Sequence, residues 1–267
     1  MWTLDPGSDI PAWRFEPAPP GIALAFSTRH GGVSEGPYRS LNLGRSTADD
    51  PDAVAENRRR WLTALGLDPR RLATAGQVHG RAVTRARDPG LHPDCDILLT
   101  TTPGLALAVT AADCLPILYV AGGAVAAAHS GWRGTADGAP QAALSAVCSA
   151  AGVAAGAVGI HFGPGIRGCC YRVGADVAAR FPSAAVRRDD GALWLDLPTA
   201  ARLDLIAAGA DPHAIHDTRA CTACEPERYF SHRRDHGLTG RHWGLIALTG
   251  PATAQAARDP GGAMRAG

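Results

Sequence analysis

Apolar positions along the chain fall into two periods. Short apolar or alternating runs at residues 22–27, 72–78, 96–100, 105–111, 158–162 and 244–248 each read as a strand. Runs at 115–120 and 124–128 flank Gly122-Gly123 and predict a hairpin. Three segments carry helical signals instead. In 51–65, Asp50 is a candidate N-cap, Pro51 occupies the first turn and Gly66 supplies a left-handed stop. Residues 135–151 form an alanine-rich stretch, and 198–208 ends at Gly209. Strands cluster in pairs rather than alternating with helices, which predicts an α+β class with mixed sheets over a doubly wound sheet. No repeat or long linker divides the chain, so residues 1–248 read as one domain. The stretch 249–267 is small, contains Gly and Pro, lacks periodicity and reads as a disordered tail.

Composition narrows the picture. Of 267 residues, 46% are hydrophobic and 19% charged, as in a soluble globular protein, and the formal charge of +1 gives no general attraction to nucleic acid or anionic membrane. No apolar run is long enough to span a bilayer, and residues 1–20 lack a signal-peptide pattern. Seven cysteines, an odd number, favour a reducing, cytoplasmic location over a disulfide framework. Lysine is absent, which excludes Schiff-base, pyridoxal-lysine and P-loop chemistry. A fixed cation in any site must be arginine, charged histidine or a metal, and arginine suits bidentate capture of phosphate or carboxylate.

Chemistry-bearing residues follow predicted strands. Gln77-Val78-His79-Gly80, Ala112-Asp113-Cys114-Leu115-Pro116 and Ala128-His129-Ser130-Gly131-Trp132-Arg133-Gly134 each begin near a strand end, where a scaffold presents functional groups. Two imidazoles and a thiolate suit zinc with one coordination position open. The spacing from His79 to Cys114 to His129 is no local metal motif, however, and a buried cysteine with two hydrogen-bonded core histidines reads equally well. Cys221-x-x-Cys224 has no second CxxC and no thioredoxin-like context, and reads as two reduced cysteines beside a loop. Cys169-Cys170 reads as structural and His213-x-x-His216 as surface.

Further blocks join these in order: Thr28-Arg29-His30-Gly31-Gly32-Val33-Ser34, Leu41-Asn42-Leu43-Gly44, Glu56-Asn57-Arg58, Thr110-Ala111-Ala112, Gly163-Pro164-Gly165-Ile166, Cys221-Thr222, Phe230-Ser231-His232-Arg233-Arg234 and Thr239-Gly240-Arg241. Over roughly residues 22–248 the chain resembles the multicopper polyphenol oxidase/laccase-domain family, also called YfiH/YlmD-like, which includes purine nucleoside phosphorylases. The resemblance implies a layered α/β/β/α fold shared with cytotoxic-necrotizing-factor-type domains and zinc on His79, Cys114 and His129. It also implies phosphorolysis of adenosine, inosine and S-methyl-5'-thioadenosine, with adenosine deamination as a second activity, in a monomer or homodimer. Three positions depart from the family pattern: Ser130 for alanine, His232 for tyrosine and Arg172 for glutamate.

Both reactions suit one site. Metal-activated water serves deamination, and phosphorolysis needs a held phosphate. Arg29 and Arg133 are candidate phosphate clamps, assisted by the Gly31-Gly32 amides. Asp113 is a candidate to orient His129 or shuttle a proton, and Asn42 to contact sugar hydroxyls. The expected partners are thus small molecules, a nucleoside and phosphate. Two other functions use the same residues. Cys114 activated by His129 would make a hydrolase, such as an amidase editing peptidoglycan precursors. A His/Cys site also binds copper, as a polyphenol oxidase requires, although the chain has none of the His-x-His pairs expected of a multicopper centre. The cytidine-deaminase signature is absent.

Overall fold

The computed structural model describes residues 1–5 and 8–249. Two mixed sheets form its centre. The first has seven strands in the order β1 (Trp2–Leu4), β2 (Ala12–Phe15), β3 (Ile22–Ser27), β16 (His242–Leu248), β8 (Ala106–Ala111), β4 (Leu72–Ala75) and β6 (Gly90–His92). The second has six, ordered β15 (Ile215–Asp217), β11 (Gly159–Phe162), β9 (Leu115–Ala121), β10 (Ala124–Ser130), β7 (Ile97–Thr100) and β5 (Val83–Arg85). A third, small sheet is made of β12 (Arg172–Val173), β14 (Ala192–Leu195) and β13 (Val186–Asp189). The helices are α1 (Pro51–Ala64), α2 (Trp132–Ala136), α3 (Ala139–Ala151), α4 (Ala175–Ala178) and α5 (Leu197–Ala207).

Strand periodicity sorts the core into three layers. Between the sheets, Leu107 and Val109 of β8 and Ile246 of β16 pack with Leu118 of β9 and Val125 and Ala127 of β10. The alternate residues of the first sheet, Ala106, Ala108, Trp243 and Leu245, lie under Trp61 and Leu62 of α1. Those of the second, Ile117, Tyr119, Ala126 and Ala128, lie under Ala143, Leu144 and Val147 of α3 and Leu205 of α5. The result is the expected α/β/β/α layering. Helix α1 starts where the Asp50 carboxylate accepts the Asp52 N–H, with Pro51 in the first turn. Helix α5 is capped in the same way by Asp196, which accepts from Thr199 N.

Two elements differ from expectation. The run 72–78 stops being strand at Ala75, because Gln77 and His79 turn back with φ of 57° and 63°. The stretch 135–151 is two helices, since Gly138 at φ 86° breaks the ladder between α2 and α3. Of the stretch 249–267, only Thr249 lies within the described residues.

One topological feature positions the site. Parallel strands β4, β6 and β8 of the first sheet each pass into the second, entering β5, β7 and β9 respectively. The three crossings are residues 76–82, 93–96 and 112–114, and they carry His79, Asp96 and Cys114. Strand β10 runs antiparallel to both β7 and β9, so its end brings His129 back to the same edge.

Candidate metal centre

The crossings converge. One ligand atom from each of His79, Cys114 and His129 lies within 4.8 Å of the others, and the two imidazole rings stand 4.9 Å apart at 86°. Their common support is Asp96, fully buried at the entrance to β7. Asp96 Oδ1 accepts from His129 Nδ1 at 2.8 Å and from His79 N at 3.0 Å, while Oδ2 accepts from Val78 N and Gly80 N. One carboxylate therefore holds the left-handed His79 turn and fixes the His129 ring, leaving Nε2 for the cluster. Gln77 anchors the same turn to β8, donating to Thr110 O at 2.7 Å and accepting from Thr110 N at 2.8 Å.

Electrostatics follow from the packing. Burial pushes the Cys114 thiol up, but hydrogen bonds and charge from His129 and His79 overcome it and hold the thiol at about 6. Burial pushes His129 down, yet Cys114 and Asp96 raise it to about 9. The donor set fits a metal ion: a thiolate and two oriented imidazoles meet where a Cβ on Gly131 would lie 2.9 Å from Cys114 Sγ and 3.3 Å from His79 Cδ2.

The cluster opens into a cavity of about 660 Å³. Among the described residues five arginines, Arg45, Arg58, Arg133, Arg233 and Arg241, line it against a single carboxylate, Asp113. Trp132, Tyr171, Ile166 and Leu197 give it apolar walls, and His232 faces it as well. Arg133 lies over the Trp132 ring, 4.4 Å from its centroid.

Other sequence-selected residues stand elsewhere. Arg29 does not reach the cavity; Nε donates to Arg39 O, Nη1 to Pro226 O, and the guanidinium covers Phe230. Gly32 N is likewise engaged, by Ser40 Oγ. Asn42 is fully buried and accepts from Gly44 N and Arg241 N, so it positions Arg241 without lining the cavity. Asp113 lines the cavity but does not orient His129, the task Asp96 performs; it accepts from Thr222 Oγ1 at 2.7 Å and Arg233 N at 2.6 Å. Sequence reasoning missed Asp96, whose one signal is an acid at the mouth of an apolar run, and it gave Gln77, Arg233 and Arg241 no role although they lie in the quoted blocks. Of the departures, Ser130 is buried and bonds Thr135 Oγ1, while Arg172 O receives Arg233 Nη1.

Layering and donor set together define the class: an α+β protein with a candidate two-histidine, one-cysteine metal centre at the edge of a sheet sandwich. The profile of the family described as "Multi-copper polyphenol oxidoreductase laccase" matches residues 23–249. The chain is 41% identical over 238 residues to "Purine nucleoside phosphorylase" of Deinococcus radiodurans, covering 86% of this chain and 91% of that one. It is 38% identical to "Purine nucleoside phosphorylase YfiH" of Escherichia coli, covering 90% and 98% respectively. The crystal structure of YlmD from Geobacillus stearothermophilus superposes with a TM-score of 0.86 at 35% identity, covering 92% of this chain and 98% of that one. The chain belongs to this laccase-like YfiH/YlmD family.

Proposed function

We propose that the chain is a zinc-dependent purine nucleoside phosphorylase acting on adenosine, inosine and S-methyl-5'-thioadenosine, and that the same site deaminates adenosine. The relatives' names support the first activity. The observation that carries the reading is the cavity: five arginines against one carboxylate beside a thiolate and two imidazoles, with room for a nucleoside and an anion. Among the described residues neither Arg45 nor Arg133 has a salt-bridge partner.

Zinc is the metal of choice for one thiolate and two imidazoles; His79, Cys114 and His129 would hold it, and it would supply Lewis acidity to the cavity. The chain's own groups do the rest. Arg133, Arg45 and Arg233 bind phosphate and hold it towards the sugar. A phosphate oxygen bonds to the anomeric carbon as the bond to the purine nitrogen breaks, and the purine leaves with a proton. Trp132 and Tyr171 stack on the purine and exclude water. Asp113 and His232 face the same space and are placed to exchange the purine's protons. The seven cysteines, all free thiols, suit a cytoplasmic enzyme, and among the described residues no helix is long and apolar enough to cross a membrane.

Incubation with adenosine, with and without phosphate, tests the reading. Adenine formed only with phosphate establishes phosphorolysis, and inosine in both tubes establishes deamination. Chelator should abolish both and zinc restore them better than copper. Neither product, or an activity that survives chelation but not alkylation of Cys114, would replace the proposal with the cysteine-hydrolase reading.

A further inference from the structure

We propose that Cys169, Cys170, Cys221 and Cys224 form a second metal site, a tetrathiolate for one zinc ion. In sequence the Cys221-x-x-Cys224 pair lacks a matching CxxC, but the fold supplies one from an unexpected source, the adjacent Cys169 and Cys170. One sulfur from each of the four lies within 4.8 Å of the others. Cys169 Sγ is 3.5 Å from Cys221 Sγ and 3.4 Å from Cys224 Sγ, and Cys170 Sγ is 3.0 Å from Cys224 Sγ.

These distances gather the four sulfurs around one point, as a single ion would. Zinc–sulfur bonds of ~2.3 Å at tetrahedral angles place sulfurs roughly 3.8 Å apart. A disulfide requires ~2.05 Å, and all four thiols are free. A multi-iron cluster would spread its cysteines wider than a single ion does. Four soft thiolates with no histidine or carboxylate among them select zinc over hard cations.

The backbone is shaped for thiolates as well. Backbone N–H groups of Cys224, Arg167 and Ala223 hydrogen-bond the Cys221 sulfur. N–H groups of the two residues ending a Cys-x-x-Cys turn, aimed at the first sulfur, stabilise a charged ligand. Arg167, itself paired with Asp217, lies close enough to Cys221 to feel its charge, and Arg187 Nη2 donates to Gly168 O beside the vicinal pair.

The site's place in the fold gives it a purpose. Cys169 and Cys170 follow β11 in the chain and lie between Ile166 and Tyr171 of the cavity wall. Cys221 and Cys224 flank Thr222, which bonds Asp113. The bridge of Gly165 with Cys221 and the Arg167 guanidinium, which donates to Ala220 O and pairs with Asp217, already bring the two segments together. An ion here clamps one wall of the cavity without touching substrate.

The test is metal content in the full chain purified under reducing conditions. Wild type should carry two zinc equivalents, and His79→Ala/Cys114→Ser one, held by an unaltered cysteine cluster. Cobalt loaded into that variant should give the intense thiolate-to-cobalt charge-transfer bands and visible absorption of a tetrahedral four-sulfur site. Cys170→Ser/Cys224→Ser should lose those bands and one equivalent. The proposal is overturned if His79→Ala/Cys114→Ser binds neither zinc nor cobalt, or if a Cys170–Cys224 disulfide forms in place of metal binding. Because the readout is stoichiometry and spectrum, it stands or falls separately from the phosphorylase reading.

Discussion

At the residue scale the decisive group is Asp96, since a single carboxylate fixes a strained turn, an imidazole and, through them, a ligand set. Asp96→Asn keeps the shape but removes the charge that orients His129. Its affinity for zinc, measured by competition with a coloured chelator, should fall about 10–100-fold. Arg133→Ala should raise KM for phosphate roughly tenfold or more, the effect of one charge-assisted hydrogen bond, and leave metal content unchanged. The thiol–imidazole pair sets a pH window for the metal-free protein. Cys114 is lowered to about 6, so its contribution to stability is complete above the ordinary thiol range and is lost as pH falls through about 6. His129 is raised to about 9, so its contribution is complete below the ordinary imidazole range and is lost as pH rises through about 9. The gain of the one with rising pH offsets the loss of the other, so denaturant unfolding in chelator should show nearly level stability between about 6 and about 9, while iodoacetamide should alkylate Cys114 with a midpoint of about 6.

At the element scale, Gly138 separates a one-turn helix that carries Arg133 from the long helix covering the second sheet. Gly138→Ala would force a side chain into the left-handed region and should cost about 1–2 kcal/mol, read as a fall of a few degrees in Tm. Helix α1 was legible because its cap, proline and stop are local signals, and β8, β9 and β10 because a buried strand writes its period into adjacent residues. Strands β1, β5 and β6 were not, since each spans three residues, too few to show a period, and exists only through the strand it pairs with. The same division holds for the site. His79, Cys114 and His129 were recognisable as residue types near strand ends, whereas the partners of Arg29 are backbone carbonyls of Arg39 and Pro226 that no local pattern announces. The Cys169-Cys170 pair likewise gains its meaning only once folding sets it against Cys224.

At the scale of the whole molecule, the sheets also meet at a ring cluster, where His161 of β11 packs 4.5 Å from Phe15 of β2 and 5.5 Å from Trp2 of β1. Burial, then His216 and the amino terminus, lowers His161 to about 3. Between the unfolded imidazole value of ~6.5 and about 3, the unfolded chain binds a proton that the folded one refuses, so stability declines as pH drops through that range. His161→Phe should flatten this decline in urea unfolding compared at mildly acidic and neutral pH; an unchanged slope would show that acid sensitivity arises elsewhere.

The three parallel crossings give the molecule a seam. His79 and Cys114 sit on two separate passages between the layers, so an ion gripping both works as a rivet through the sandwich. Prising the layers apart requires drawing it out first, and each mole held tightly adds to the work of melting. Heat resistance thereby becomes a gauge of loading: calorimetry of partly filled samples should resolve two melting populations whose areas track the zinc bound.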